Sequence, residues 1–135
     1  MTSAIRLRLD TLEIPVSDLQ TSRNWYQTVF GVRTSSSDEN HCQMAAEEND
    51  GPGVKFLLVQ TESGQSLGFK NSSTDVDHSF ADMEVDDLDG FYAALKDKGI
   101  KVPDLEEPKY DWAPKGFALQ DPDGNRFGIF SFRKD

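Results

Sequence analysis

The stretch of this chain that most invites a metal is DPDGN, Asp121 to Asn125. Two aspartates one residue apart, followed by glycine, are how a calcium loop begins. Such a loop also needs glycine at its sixth position and glutamate at its twelfth. Counted from Asp121, those positions hold Arg126 and Phe132, so the calcium reading fails. The same letters build a turn: Asp-Pro starts it and Gly124-Asn125 lets the chain reverse. The remaining metal-ligating or nucleophilic types are sparse. There are two histidines, His41 and His78, and one cysteine, Cys42. His41 and Cys42 are adjacent on an expected strand, where neighbours point to opposite faces, so they neither share an ion easily nor act as base and nucleophile. His78, beside Asp77 and Asp75, reads as a surface or linker residue. Glu13 and Asp82 are the more interesting acids. Each sits in an alternating, strand-like segment, where a carboxylate could activate water, share a proton or bind a cation. Either could instead pair with Arg6, Arg8, Arg126 or backbone donors, because a buried carboxylate without a partner is costly. No glycine-rich phosphate loop or nucleophile elbow is present.

The elements that position these groups follow from periodicity. Residues 5–16 alternate and read as a strand, and Asp18 caps a helix over 19–29 that Gly31 stops. Of the adjacent Trp25 and Tyr26, one is expected to pack on the sheet and the other to sit at an edge. Strands are expected near 32–36, 41–46 and 54–61, with a turn over 47–53, a weaker strand at 66–69 and a polar linker at 71–77. The order then restarts: a strand at 79–85, a helix opened by Asp86-Asp87-Leu88 and ended by Gly99, a short strand at 100–102, and a proline-containing loop over 103–115. A hairpin of 117–120 and 126–132 closes around DPDGN. Laying Val16-Ser17-Asp18-Leu19 over Val85-Asp86-Asp87-Leu88 brings Glu13 onto Asp82 and Thr11 onto Phe80. The chain is therefore an internal repeat of a βαβββ unit, with modules at about 5–70 and 78–133. The fold class is α+β, built of two tandem modules.

Composition narrows the function classes. The chain has 135 residues, 36% of them apolar, with nine Phe, three Tyr and two Trp, enough for one folded domain with a real core. Apolar runs are too short for a membrane span, and the first residues do not resemble a secretion signal. A formal net charge of -10 repels phosphate backbones, so no nucleic-acid partner is expected. One cysteine forms no internal disulfide, and a cytoplasmic location is expected.

Tandem βαβββ units with V-x-D-L at each strand-to-helix turn and DPDGN before the last strand resemble the vicinal oxygen chelate superfamily, which includes glyoxalase I, extradiol dioxygenases and bleomycin-binding proteins. The resembling stretches are LEIPVSDLQTSRNWYQTVFG (12–31), Phe80 to Gly99 and Phe117 to Phe130. The resemblance implies a cup-shaped cavity, completed within the chain or across a homodimer. In metal-dependent members, inward positions of the first and last strands supply His, Glu or Gln ligands. Carried over, those positions fall on Thr11, on a site near Gly68, on Phe80 and on Gly128, none of them a good ligand for a divalent metal. Glu13 and Asp82 lie two residues beyond the first-strand positions.

The leading expectation is therefore a glyoxalase-like protein with no metal and no cofactor that binds a small organic molecule, possibly cationic. Its ligand-binding candidates are Glu13, Asp82, Thr11, Phe80, Tyr110, Trp112, Gly128 and Phe130. Tyr110 and Trp112 enter because their loop often closes over the cavity in related proteins. Two alternatives stay open. One is a lyase, isomerase or dioxygenase with a displaced metal site, which requires His41, Glu13 or Asp82 to converge. The other is a structural or regulatory protein whose cavity Phe80 and Phe130 fill. Whether the chain is an enzyme is left open.

Overall fold

The computed structural model describes residues 5–46, 53–108 and 110–132. The first unit runs β1 (Thr11–Val16), α1 (Leu19–Phe30), β2 (Val32–Ser37), β3 (His41–Ala46) and β4 (Lys55–Gln60). These strands form one sheet in the order β1-β4-β3-β2, with β1 and β4 parallel and the rest antiparallel. A two-stranded hairpin of β5 (Phe69–Lys70) and β6 (Asp77–His78) links the units. The second unit runs β7 (Ala81–Glu84), α2 (Leu88–Asp97), β8 (Lys115–Gln120) and β9 (Arg126–Ser131), with sheet order β7-β9-β8. Here β7 and β9 are parallel, repeating the β1-β4 pairing of the first unit.

Both helices form where the capping residues predict. The Asp18 carboxylate accepts from the Thr21 N–H at 3.0 Å, and Gly31 takes the left-handed conformation, φ 69°, that ends α1. A capping side chain of this kind stabilises a helix by about 1 kcal/mol. The Asp87 carboxylate accepts from the Gly90 N–H at 3.0 Å and does the same for α2.

Alternation along the strands sends one face of each sheet into a single core. Ile14, Val16, Met44, Phe56 and Leu58 from the first sheet meet Phe117, Leu119, Phe127 and Ile129 from the second. Tyr26 on α1 sits between them, fully buried, with ring centroids 5.6 Å from Phe56 and 5.9 Å from Phe127. Trp25, half-buried, packs edge-on against it. The opposite sheet faces carry Glu13, Gln43 and Leu57 on the first unit and Asp82, Gly128 and Phe130 on the second. All of these are half-buried or exposed.

Three expectations need correction. Residues 5–10 alternate like a strand but lie outside β1; the ladder with β4 begins at Thr11, opposite Lys55. Residues 100–102 form no strand; Ile100 and Val102 pack half-buried against the core instead. The expected linker at 71–77 is mostly the tip of the β5-β6 hairpin. There the Asn71 side chain accepts from Ser73 N–H at 2.8 Å, and Asp75 takes a positive φ of 62°. The turn expected over 47–53 lies, except for Gly53, outside the described residues.

Candidate functional site

DPDGN, rejected above as a metal loop, is the polar joint of the molecule. Asp121, 5% exposed, accepts from the Tyr26 hydroxyl at 2.6 Å, from the backbone N–H of Asp123 and Asn125, and from the Asn125 side-chain amide at 2.7 Å. Asn125, fully buried, donates to the Pro15 carbonyl and accepts from Leu67 N–H, while Asp123 accepts from Ser17 N–H. One turn thus touches β1, α1 and the connector to β5. Burial, and then the Asp121 charge, push the Tyr26 phenol far above its ordinary pKa, so it remains a donor. These groups saturate one another, so the turn has a structural task.

Register corrects one carried-over position. In the second unit Asp82 lies opposite Gly128; in the first, Glu13 lies opposite Leu57. The first unit's counterpart of Gly128 is therefore Leu57 on β4, and the expected position near Gly68 lies outside that sheet. The four positions are Thr11, Leu57, Phe80 and Gly128. The Thr11 hydroxyl donates to Asp10 at 2.7 Å. Phe80 faces the shared core, 4.8 Å centroid to centroid from Phe127. A Cβ at Gly128 would overlap the Asp82 carboxylate, which occupies the space where a ligand side chain would start. Leu57 has no ligating atom. Among the described residues, no three His, Cys, Asp or Glu side chains come together closely enough to hold a metal ion. His41 is tied to Asp38 at 3.0 Å. The residues present do not fit the ion that metal-dependent members hold.

The carboxylates Glu13 and Asp82 remain on the two outward sheet faces, both exposed. Phe130 is half-buried and meets Phe132 edge-to-face at 5.2 Å. A cleft lies elsewhere, at the N-terminus of α2, with a volume of about 670 Å³. Tyr110 and Trp112 line it together with Asp86, Asp87, Asp89, Glu107 and Asp111. A turn closed by Ala113 N–H to Tyr110 carbonyl sets the two rings side by side, 5.3 Å apart and within 8° of parallel. They are 59% and 77% exposed. Lys115, the one basic residue among the described cleft walls, reaches Glu107 at 3.0 Å and Asp89 at 3.2 Å. Those two hydrogen bonds hold its ammonium above the usual lysine value. Of the eight candidates read from sequence, the cleft thus gathers Tyr110 and Trp112. The acids around α2 that line the cleft were not among those candidates, although the run Asp86-Asp87-Leu88-Asp89 was visible as a helix start.

The family model of the glyoxalase/bleomycin resistance protein/dioxygenase superfamily matches residues 8–129. The chain belongs to this superfamily. The chain is similar to the uncharacterized protein YraH of Bacillus subtilis (strain 168), 23% identical over 92% of this chain and 98% of that one. Among solved structures it resembles TnmS3, an antibiotic binding protein from Streptomyces sp. CB03234, with a TM-score of 0.69 and 19% identity over 96% and 98% of the two chains. It also resembles lactoylglutathione lyase from Agrobacterium tumefaciens, with a TM-score of 0.65 and 16% identity over 92% of each chain. A binder and an enzyme share this superfamily fold, so the fold alone does not choose between binding and catalysis.

Proposed function

We propose that this superfamily member binds a planar organic cation in the cleft beside α2, without metal chemistry. The observation that carries the reading is the parallel Tyr110–Trp112 pair, exposed in a cleft that Asp86, Asp87, Asp89, Glu107 and Asp111 also line. The negative faces of aromatic rings attract cations, and flat ligands stack on them over a large area at small entropic cost. Among the described wall residues, five carboxylates against one already paired lysine give a potential that favours positive charge. A volume of about 670 Å³ suits a molecule of drug size. That a protein of the same fold is an antibiotic binding protein fits the binding of a small organic molecule.

The test is Trp112 fluorescence in a Trp25→Phe background, titrated with planar aromatic cations and with neutral and anionic analogues of the same shape. Cations are expected to quench saturably and to bind at least about tenfold more tightly than the neutral analogues, a difference of about 1.4 kcal/mol. Trp112→Ala is expected to abolish binding measured calorimetrically. Equal affinity for the anionic analogues, or affinity indifferent to Trp112→Ala, would sink the proposal.

A further inference from the structure

The cleft beside α2 already holds a cation, and that cation is the chain's own. Lys115, the first residue of β8, sends its ammonium to Glu107 in the proline-containing loop at 3.0 Å and to Asp89 in the first turn of α2 at 3.2 Å. Its side chain is 26% exposed, whereas those of Glu107 and Asp89 are 81% and 75% exposed. The lysine is thus the anchored partner, its stem mostly covered, and two carboxylates from separate elements converge on it. Both bonds, Glu107 first, favour the charged ammonium, so the position stays filled at neutral pH.

Two carboxylates within hydrogen-bond distance of one point are what a ligand's primary ammonium would seek. Here that point is taken. The Tyr110–Trp112 pair offers a different kind of place, an exposed aromatic face that attracts a flat cation without a carboxylate in contact. The cleft therefore has two places for positive charge, and one of them is occupied from within.

We propose that Lys115 sets the charge of the ligand: standing between Asp89 and Glu107, it restricts the cleft to planar monocations and denies a dication the place for its second charge. This role rests on the cation reading of the cleft. Removing the ammonium while keeping an unbranched stem turns the cleft toward dications. Because Asp89 and Glu107 are exposed, each ion pair gained strengthens binding by about threefold, and the two together by about tenfold.

Calorimetry on the full chain tests it, with an acridinium monocation and with dications made from it by adding primary-amine arms of increasing length. The readout is the ratio of dication to monocation affinity. In the wild type the best dication is expected to gain no more than about threefold. Lys115→Met is expected to raise the ratio about tenfold, Lys115→Arg to leave it unchanged, and Lys115→Met/Asp89→Asn/Glu107→Gln to bring it back. A lysine that only tied the loop to α2 would, when removed, weaken both ligands alike and leave the ratio where it was. Absence of monocation binding to the wild type would overturn the cleft reading and the role of Lys115 with it. Monocation binding with a ratio that Lys115→Met does not raise, or one that stays raised in the triple variant, would overturn the role of Lys115 alone.

Discussion

Removing one oxygen atom tests whether Asp121 is the joint it is described as. Tyr26→Phe deletes a hydroxyl that is fully buried and donates to a carboxylate at 2.6 Å. Asp121 keeps its bonds from Asp123 N–H, Asn125 N–H and the Asn125 amide, so it is not left bare. A buried hydrogen bond to a charged group contributes about 1.5–3 kcal/mol, which sets the expected loss at about 2 kcal/mol. Tyr92→Phe is the control. Its hydroxyl donates at the same 2.6 Å, but to the neutral carbonyl of Pro103 in an exposed bond, and its loss is expected to cost about 0.5 kcal/mol. In urea both variants keep the wild-type slope, and the Tyr26→Phe midpoint falls by about 1 M for a slope of about 2 kcal/mol per molar. Alkaline pH gives a second readout. The folded phenol is held above the unfolded value of about 10, so above that pH the unfolded chain releases a proton that the folded chain retains. The associated stability is present below pH of about 10 and declines above it by up to about 1.4 kcal/mol per pH unit, a loss that Tyr26→Phe removes. Equal midpoints for the two phenylalanine variants, or a cost for Tyr26→Phe under about 0.5 kcal/mol, would refute the joint.

Three further predictions concern the sheets. Added Zn²⁺, Ni²⁺, Mn²⁺ or Fe²⁺ is expected not to bind stoichiometrically, checked by elemental analysis after gel filtration; one firmly held ion per chain would contradict it. Gly128→Ala is expected to cost about 1 kcal/mol or less, because the atom in its way is the end of the exposed Asp82 side chain, which can turn aside. Gly116→Ala meets the Ile129 carbonyl of the neighbouring strand, which cannot, and is expected to cost about 3 kcal/mol in the same urea assay.

Local chemistry was legible in the sequence and distant chemistry was not. Asp18, Gly31 and Asp87 announce their helices because capping is decided within four residues. The DPDGN turn was readable for the same reason, but its bond to Tyr26, 95 residues away, has no local signal. Alternation over residues 5–10 looked like strand because period two reports an apolar face, and it cannot report whether a neighbouring strand exists to receive it. The 100–102 segment misled likewise: Ile100 and Val102 earned their apolar character by covering the core after α2. The misplaced position near Gly68 came from counting the 66–69 segment as the end of the first unit, when the ladder ends with VKFLLVQ. Phe80, expected to line the cavity, packs against the core beside Phe127. Tyr110 and Trp112 were singled out through the loop that carries them, and their stacking needed the turn that only the folded chain displays.

The Asp121 joint also bears on the repeat itself. Two similar units in tandem invite the picture of a duplicated module that once stood alone. Here the last turn of the second unit holds the first unit's Pro15 carbonyl and Tyr26 hydroxyl, and Phe127 lies against Tyr26 and Phe30. Each unit has given up part of its own interior to the other. The halves are no longer interchangeable copies, and neither half alone can satisfy the buried atoms of this joint.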